Sequence, residues 1–316
     1  MAFELKPGKS LRKDIRRIVR KQIDRACELL AGGLQLSTDE AVHETRIAFK
    51  KIRAVLRLIR AGIGEKTYHK RNTQFRDAGR PLTDIRDAKI LVDVFSSLLE
   101  HYHDQIANQS FAEIRDLLRE NMDAVRQRIL GQQEVFADIA KTVCPARRTV
   151  KRWTDVRDQW SSIGPGVSRT YRRARVAYRR ATVAARTLRL HEWRKQTKYL
   201  RYQLDILRPI WPERVDELIS KAHRMGELLG DDHDLAVLRQ MLSDEPDKFD
   251  GAVGIAELIA LIDCRRTELQ QQAASVAEKF FVERPDDFAR RLKGYWTSWR
   301  DQQKRDESAT PHRIST

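Results

Sequence analysis

Apolar residues recur along this chain at the spacing of a helix rather than at the alternate positions typical of a strand. In the segment after residue 41, for example, Val42, Phe49 and Leu56 share one helical face. No segment shows sustained alternation of apolar and polar residues, and the chain has only 14 Gly and nine Pro to interrupt long helices. The pattern therefore predicts an all-α protein.

Caps and breakers divide the chain into a series of predicted helices. Ser10 precedes the first helix, Gly32-Gly33 ends it, and the capping box Ser37-Thr38-Asp39-Glu40 begins a second that should run to about residue 62. Asp84 and Asp231 are predicted N-caps. The other predicted helices cover about 84–100, 104–131, 168–186, a segment ending near 209, 212–230, a helix capped by Asp231, 253–282 and 285–300.

A less regular stretch, about 132–167, interrupts the helices near the middle of the chain. Cys144-Pro145 and Gly164-Pro165-Gly166 are typical helix breakers. We predict one domain over 1–316 that contains internal repeats over about 3–131 and 168–300. The polar tail, 301–316, is expected to be disordered.

One basic helical pattern occurs in both predicted repeats. The first copy reads His43-Glu44-x-Arg46-x3-Lys50-x2-Arg53, and the second, 148 residues later, reads His191-Glu192-x-Arg194-x3-Lys198-x2-Arg201. Steps of three, four and three residues put the basic side chains on one side of a helix, next to its apolar face. We call these two sets the first and second basic columns.

The two columns differ at their C-terminal ends. The first continues into Arg57 and Arg60, whereas Asp205 stands at the position that matches Arg57. Each like-charge neighbour costs about 0.2–0.5 kcal/mol in an isolated helix. A solvated charged face is the ordinary meaning of one such run, but its repetition favours an anion held between the two columns.

Two further features extend this predicted anion site. The basic helix 168–186 carries Arg172, Arg175 and Arg179 at helical spacing, and these residues are expected to contribute charge near the second column. His43 and His191 head the columns, where a polyanion would favour the protonated imidazole. Binding is therefore expected to tighten below about pH 6.5, the reference pKa of histidine.

Composition points to an anionic partner and adds few other constraints. Lys and Arg number 61 against 45 Asp and Glu, which gives a net charge of +16. The three cysteines, Cys27, Cys144 and Cys264, lie far apart without a C-x-x-C pair, so neither a disulfide nor a zinc knuckle is expected and a reducing, cytoplasmic location is predicted. Neither a signal-peptide pattern nor a membrane-spanning segment is apparent.

A second block also repeats, with an offset of 147 residues: Leu82–Leu91 aligns with Leu229–Leu238. Two blocks that recur in the same order along the chain are best explained by duplication. The second copy contains Asp231, Asp232, His233 and Asp234, which could hold Mg²⁺, although helix capping is the stronger explanation for acids at a helix start. The His-Glu pairs lack the second histidine of H-E-x-x-H, and we predict that the protein is not an enzyme.

These motifs resemble those of the CHAD family, the conserved histidine α-helical domains. The resemblance rests on Val42–Arg53 and Leu190–Tyr202, supported by Ile85-Arg86-Asp87, by Leu229-Gly230-Asp231-x2-Asp234 and by the opening Phe3–Ser10. It covers about residues 3 to 300. Some relatives are fused to a CYTH triphosphatase module, but its E-x-E-x-K strand is absent from this chain, so no catalytic activity carries over.

The resemblance implies two pseudo-symmetric four-helix bundles around a basic central cavity or pore that binds inorganic polyphosphate. It also implies association with polyphosphate granules in the cytoplasm, and with enzymes or proteins of those granules as partners. No cofactor, metal or membrane is implied. The residues to which the family's binding role carries over are His43, Arg46, Lys50, Lys51, Arg53, His191, Arg194, Lys195, Lys198 and Arg201.

Three alternatives remain at this point. A nucleic-acid binder would need stacking aromatic residues among the cations, for which Tyr202 and Trp193 are the nearest candidates. A metal-dependent phosphohydrolase would use Asp231, Asp232, His233 and Asp234. A scaffold could bring partner proteins to phosphate stores.

Overall fold

The computed structural model describes residues 3–32, 36–106, 111–130, 133–244, 249 and 254–309. The described residues form helices and turns and contain no strand, as the apolar spacing predicts. The helices are α1 Leu11–Leu30, α2 Thr38–Leu58, α3 Arg60–Ile63, α4 Glu65–Asp77, α5 Thr83–His101, α6 Ala112–Leu130, α7 Gln133–Val143, α8 Ala146–Thr149, α9 Gly164–Val183, α10 Thr187–Leu207, α11 Pro212–Asp244, α12 Ile255–Phe280 and α13 Pro285–Ala309.

The predicted start signals of the first two helices are confirmed. Ser10 caps α1 by accepting a hydrogen bond from the backbone N–H of Lys13. In α2 the capping box is complete, because Ser37 accepts from the N–H of Glu40 and the Glu40 carboxylate accepts from the N–H of Ser37. These caps fix the phase of α2, and therefore the direction in which the first basic column faces.

Two predicted N-caps are wrong. α5 begins at Thr83 with Leu82 at its N-cap, so Asp84 lies inside the first turn. Asp231 caps nothing, because α11 continues without a break from Pro212 to Asp244. Gly230 resembles a helix stop in sequence but is a buried helical residue against α10. The two helices predicted on either side of it are one.

Other helix boundaries also differ from the prediction. α4 occupies a segment to which no helix was assigned, and α6 begins at Ala112 rather than near residue 104. α13 reaches Ala309, well past residue 300, so residues 301–309 are helical where a disordered tail was expected. The rest of that tail, 310–316, lies outside the described residues. None of the described helices is long and apolar enough for a membrane crossing.

The cysteine spacing predicts no disulfide, and this prediction is wrong. Cys27 of α1 and Cys144, just after α7, are bonded to each other, and their Cα atoms lie 6.0 Å apart. They are 117 residues apart in sequence, but α1 packs against α7, and sequence distance sets no lower limit on spatial distance. Cys264 is free and exposed. The expectation of a reducing compartment therefore loses the support that it took from the cysteines.

The helices that carry the basic columns pack directly on each other. Between α2 and α10, Gln203 Nε2 donates a buried hydrogen bond of 3.2 Å to the carbonyl oxygen of Ala54. Ala54 also belongs to a small buried cluster with Tyr199 and Tyr202 of α10. A hydrophobic core surrounds this crossing, so the relative position of the two columns is fixed by buried contacts.

Candidate functional site

Residues of both basic columns line one cavity of about 280 Å³. Its walls come from α2, α5, α10 and α11. The lining residues are Arg46, Lys50, Arg53, Thr83, Ile90, His191, Arg194, Lys195, Lys198, Tyr199, Tyr202, His233, Asp234 and Val237. Among them are six Arg or Lys side chains and one carboxylate, and we call this space the cationic cavity.

On the α2 wall, short hydrogen bonds orient the arginines. Arg46 Nη1 donates to the hydroxyl of Thr83 over 2.7 Å, which ties the first column to the start of α5. About two turns later, Arg53 Nε donates to Asn72 Oδ1 of α4 over 3.3 Å. Burial lowers the pKa of Arg53, and the neighbouring Arg57 charge lowers it further. The protonated guanidinium of Arg53 on this wall therefore has an unfavourable electrostatic free energy.

On the opposite wall, two glycines of α11 make room for the second column. A Cβ at Gly230 would lie 3.3 Å from Arg194 Nη2, and a Cβ at Gly226 would lie 3.8 Å from Lys198 Cγ. Because these glycines are one turn apart on a single helix, the long side chains of α10 lie along α11. Arg194 Nη1 reaches within 3.9 Å of Asp234 Oδ1, the carboxylate of the cavity.

Two histidines meet at the edge of this wall. The rings of His191 and His233 lie 4.8 Å apart between centres. His191 keeps an exposed edge, yet desolvation and the charges of Arg194 and Lys195 lower its pKa. Burial, followed by the charge of Arg194, lowers the pKa of His233 to about 3. In the free protein both shifts therefore favour the neutral imidazole.

Comparison with known families agrees with this arrangement of paired basic helices. The model of the CHAD domain matches residues 17–243, which is well over half of the chain and includes both columns. The chain belongs to the CHAD domain family.

The fold of this CHAD domain is shared with a solved structure. The crystal structure of the CHAD domain from the plant Ricinus communis superposes with a TM-score of 0.60 over 90% of this chain and 96% of that one, at 15% sequence identity. At that sequence identity, the comparison shows similarity of fold alone. A search by sequence among curated proteins finds no match.

Some predicted site residues of this CHAD domain lie outside the cationic cavity. His43 faces a separate cavity of about 470 Å³, which also contains Glu40 and Glu44 of α2. Lys51, Arg57 and Arg201 lie beside the crossing of α2 and α10 rather than inside the cavity. The cavity therefore gathers seven of the predicted residues: Arg46, Lys50, Arg53, His191, Arg194, Lys195 and Lys198.

The residues beside the crossing form two unlike sides. On one side, the guanidinium carbon of Arg57 lies 3.8 Å from the centre of the Tyr199 ring, and Arg57 Nη1 donates to Asn72 Oδ1 over 2.8 Å. On the other side, Asp205 Oδ2 lies 3.8 Å from Arg201 Nε, and the Asp205 carboxylate attracts the ammonium group of Lys51. We call these the Arg57 side and the Asp205 side.

Burial has the largest effect on the pKa values of Lys51 and Asp205 on the Asp205 side. It lowers the pKa of Lys51, against the attraction of Asp205, and it raises the pKa of Asp205, against the attraction of Arg201 and Lys51. The cations of this side thus already have a carboxylate among them in the free protein.

The three predicted arginines of α9 face away from the cationic cavity. Arg172 forms an ion pair of 3.1 Å with Asp286, and Arg175 donates to the carbonyl oxygen of Phe281. Arg179 is exposed. α9 instead turns Arg169 and Arg173 towards the end of α2. The helix is basic on several faces, so periodicity alone could not identify the face that meets the first column.

The sequence patterns missed several lining residues. Tyr199 and Tyr202 lie on the buried side of α10, 3% and 5% exposed, and reach the cavity between the cations. The sequence signal that could have found them was their position near Lys198 in the helical pattern of α10. Thr83 and Ile90 come from α5, and no spacing rule predicts that this helix would close the cavity. His233 and Asp234 were considered only as metal ligands.

The acidic residues of α11 have separate partners. Asp232 is buried and accepts hydrogen bonds from Arg266 Nε at 3.1 Å and Gln270 Nε2 at 2.7 Å. Asp231 is exposed, and Asp234 lies near Arg194. Within the described part of the chain, no group of three or more His, Cys, Asp or Glu side chains is arranged to hold a metal ion.

Proposed function

We propose that this CHAD domain binds inorganic polyphosphate in the cationic cavity and does not catalyse its turnover. The observation that carries the proposal is the cavity lining, with six Arg or Lys side chains from two helices and a single carboxylate. A ligand with a negative charge on every unit offsets that excess in the way that a small neutral metabolite cannot.

Direct hydrogen bonds from the arginines are the expected mode of binding. Arg46 and Arg194 come from opposite walls, and a guanidinium offers a planar fork of donors that suits phosphate oxygens. Lys50 and Lys198 add point charges between them. The volume of about 280 Å³ far exceeds the roughly 10–15 Å³ that one water needs. The space therefore suits several linked phosphates.

Part of the affinity should come from relieving the electrostatic cost of the free site. Burial lowers the pKa of Arg53 and His191, and neighbouring cations lower it further. A bound polyanion supplies a counter-charge and raises the pKa of both. Binding should also release counterions from the polyphosphate, so affinity should fall as salt rises.

The main test is the double variant Arg46→Ala/Arg194→Ala, which removes one guanidinium from each wall. Each charge-assisted hydrogen bond contributes about 1.5–3 kcal/mol, so we expect a loss of affinity of about 100-fold or more for long-chain polyphosphate by calorimetry. Arg224→Ala/Arg290→Ala removes the same charge from exposed positions outside the cavity and should change affinity little. Equal losses in the two double variants would contradict the proposal.

A nucleic-acid binder is the first rival. The two tyrosines of the cavity are almost fully buried, and Arg57 already covers one face of Tyr199, so neither offers a free surface to a base. We expect polyphosphate to displace DNA at a much lower concentration of phosphate. Displacement of polyphosphate by DNA at equal phosphate would favour the rival.

A metal-dependent phosphohydrolase is the second rival. Asp232 is already bound by Arg266 and Gln270, which argues against its use as a metal ligand. Polyphosphate incubated with the protein and Mg²⁺ or Mn²⁺ should keep its chain length on a gel. Shortening that disappears in Asp234→Ala would support hydrolysis instead.

Duplication of one helical bundle is our proposal for the origin of the site. An offset of 148 residues relates Arg57 to Asp205 and Lys51 to Tyr199. Arg57 contacts Tyr199, and Lys51 is attracted by Asp205. Both pairs therefore join the same two repeat positions, with the first and second repeats exchanged.

Polyphosphate granules in the cytoplasm are the location that we propose from family membership, with granule proteins or polyphosphate-metabolising enzymes as partners. A fluorescent fusion should coincide with polyphosphate staining, and the Arg46→Ala/Arg194→Ala fusion should be diffuse. Identical distributions of the two fusions would contradict this location.

A further inference from the structure

A second group of arginines lies on the Arg57 side, outside the cationic cavity. Four of them, from α2, α3 and α9, line a small cavity of about 10 Å³ together with Tyr68, Thr170 and Gln196. We call this the arginine pocket. Its cationic members are Arg57, Arg60, Arg169 and Arg173.

The arginine pocket lies next to the cationic cavity. Arg53 lines the cavity and Arg57 lines the pocket, and both donate to the same oxygen, Asn72 Oδ1. Both guanidinium groups also lie over the ring of Tyr199, at 5.7 Å and 3.8 Å from its centre. Arg53 and Arg57 thus join the wall of the cavity to the wall of the pocket through one shared asparagine and one shared tyrosine.

Two donors at the pocket have no hydrogen-bond partner within the described part of the chain. They are Arg57 Nε and Arg169 Nη1, and both atoms are buried. Leaving a buried donor without an acceptor costs about 1–3 kcal/mol, more for a charged group. A pocket of about 10 Å³ is large enough for one water or one phosphate oxygen, which would accept from both.

The anionic groups near the pocket do not neutralise it. Glu65 pairs with Arg60 through both of its oxygens, but its side chain is 61% exposed. Arg173 is exposed on α9 and can turn towards an anion at the mouth of the pocket. On the Asp205 side, in contrast, Asp205 lies between Arg201 and Lys51, and Arg208 is paired with Asp216 at 2.7 Å.

We propose that the arginine pocket is a second anion subsite, which receives the part of a polyphosphate chain that extends beyond the cationic cavity. This inference rests on the proposed function and deepens it. The ligand leaves the cavity over Tyr199 on the Arg57 side and not on the Asp205 side. Chains that fill only the cavity do not use the subsite, so it selects for longer polyphosphates.

The test compares tripolyphosphate with long-chain polyphosphate on Arg169→Gln/Arg173→Gln. We expect the affinity for the long chain to fall about tenfold, as for loss of one or two exposed charge-assisted hydrogen bonds, while the affinity for tripolyphosphate changes less than about twofold. Arg173→Gln alone, at an exposed position where folding is not at risk, should show a smaller loss with the same dependence on length. The matched control is Arg208→Gln/Arg214→Gln, which removes Arg208 near Asp205 and the exposed Arg214 of α11.

Three results would overturn the inference. One is an equal loss for both chain lengths, which would reflect the change in net charge alone. Another is an equal loss in the control variant. The third is unchanged affinity for the long chain. If the wild-type protein binds neither ligand, the proposed function itself fails and the subsite with it, whereas length-independent binding by the wild type overturns the subsite alone.

Discussion

The two sides of the crossing between α2 and α10 differ in charge, because arginines gather on one side and a carboxylate lies among the cations of the other. On the Arg57 side, a guanidinium stacks on Tyr199 and joins three more arginines. On the Asp205 side, a half-buried carboxylate sits among the cations. The difference between arginine at position 57 and aspartate at position 205 thus leaves one side cationic and places a carboxylate among the cations of the other.

The largest effect is expected from Gly166→Ala, which separates α9 from α2 and should dismantle the Arg57 side. A Cβ at Gly166 would overlap the carbonyl oxygen of Leu58, a backbone atom that cannot move away cheaply. Overpacking of this kind costs about 3 kcal/mol of unfolding free energy, measurable by urea denaturation. In contrast, Gly226→Ala meets only the flexible Lys198 at 3.8 Å. It should be neutral or stabilise by up to about 1 kcal/mol, and equal destabilisation of the two variants would show that the contact with Leu58 does not matter.

A smaller effect is expected from His233, whose pKa is lowered by burial and then by the cations of the cationic cavity. Its pKa in the folded protein is about 3, below the value of about 6.5 in an unfolded chain, so the unfolded state takes up the proton first. The histidine's contribution is present above pH 6.5 and is lost as pH falls below that value. Relative to His233→Gln, the wild-type unfolding free energy should fall by at most about 1.4 kcal/mol per pH unit. Parallel curves for the two proteins between pH 6.5 and 5 would show that burial and the neighbouring cations do not lower this pKa.

The smallest effect is expected from Asp205→Asn, which makes the two sides more alike. Removing the carboxylate frees Arg201 and Lys51 to attract a polyanion, and we expect a gain in affinity for long-chain polyphosphate of about fivefold, since partly exposed ion pairs contribute about 1 kcal/mol or less. The control is Asp216→Asn, which frees Arg208 farther from the crossing. A gain of the same size in the control would show that position does not matter and only net charge does.

Local signals in the sequence predicted the elements of this site well. The cap at Ser10 and the box at Ser37 and Glu40 depend on residues three positions apart, and both formed as predicted. The basic columns depend only on helical periodicity, and Arg46, Lys50, Arg194 and Lys198 all line one cavity.

The errors arose where one residue type serves two purposes. Gly230 reads as a helix stop, but its lack of a side chain makes room for Arg194 inside a continuous helix. Cysteine spacing excludes a zinc motif but says nothing about which helices pack, so the bond between Cys27 and Cys144 was missed. On α9, arginines occupy several faces, and only the packing against α2 decides that Arg169 and Arg173 matter.

Gly230 of α11 means that this site cannot be copied by its charges alone. A designer who moved every arginine and lysine of the cavity onto another pair of helices would reproduce the electrostatic potential but not the geometry. With a side chain at position 230, the added Cβ would lie 3.3 Å from Arg194 Nη2, and the guanidinium would have to shift away from α11. An uncharged residue outside the cavity lining thus helps to determine where one of the cations lies.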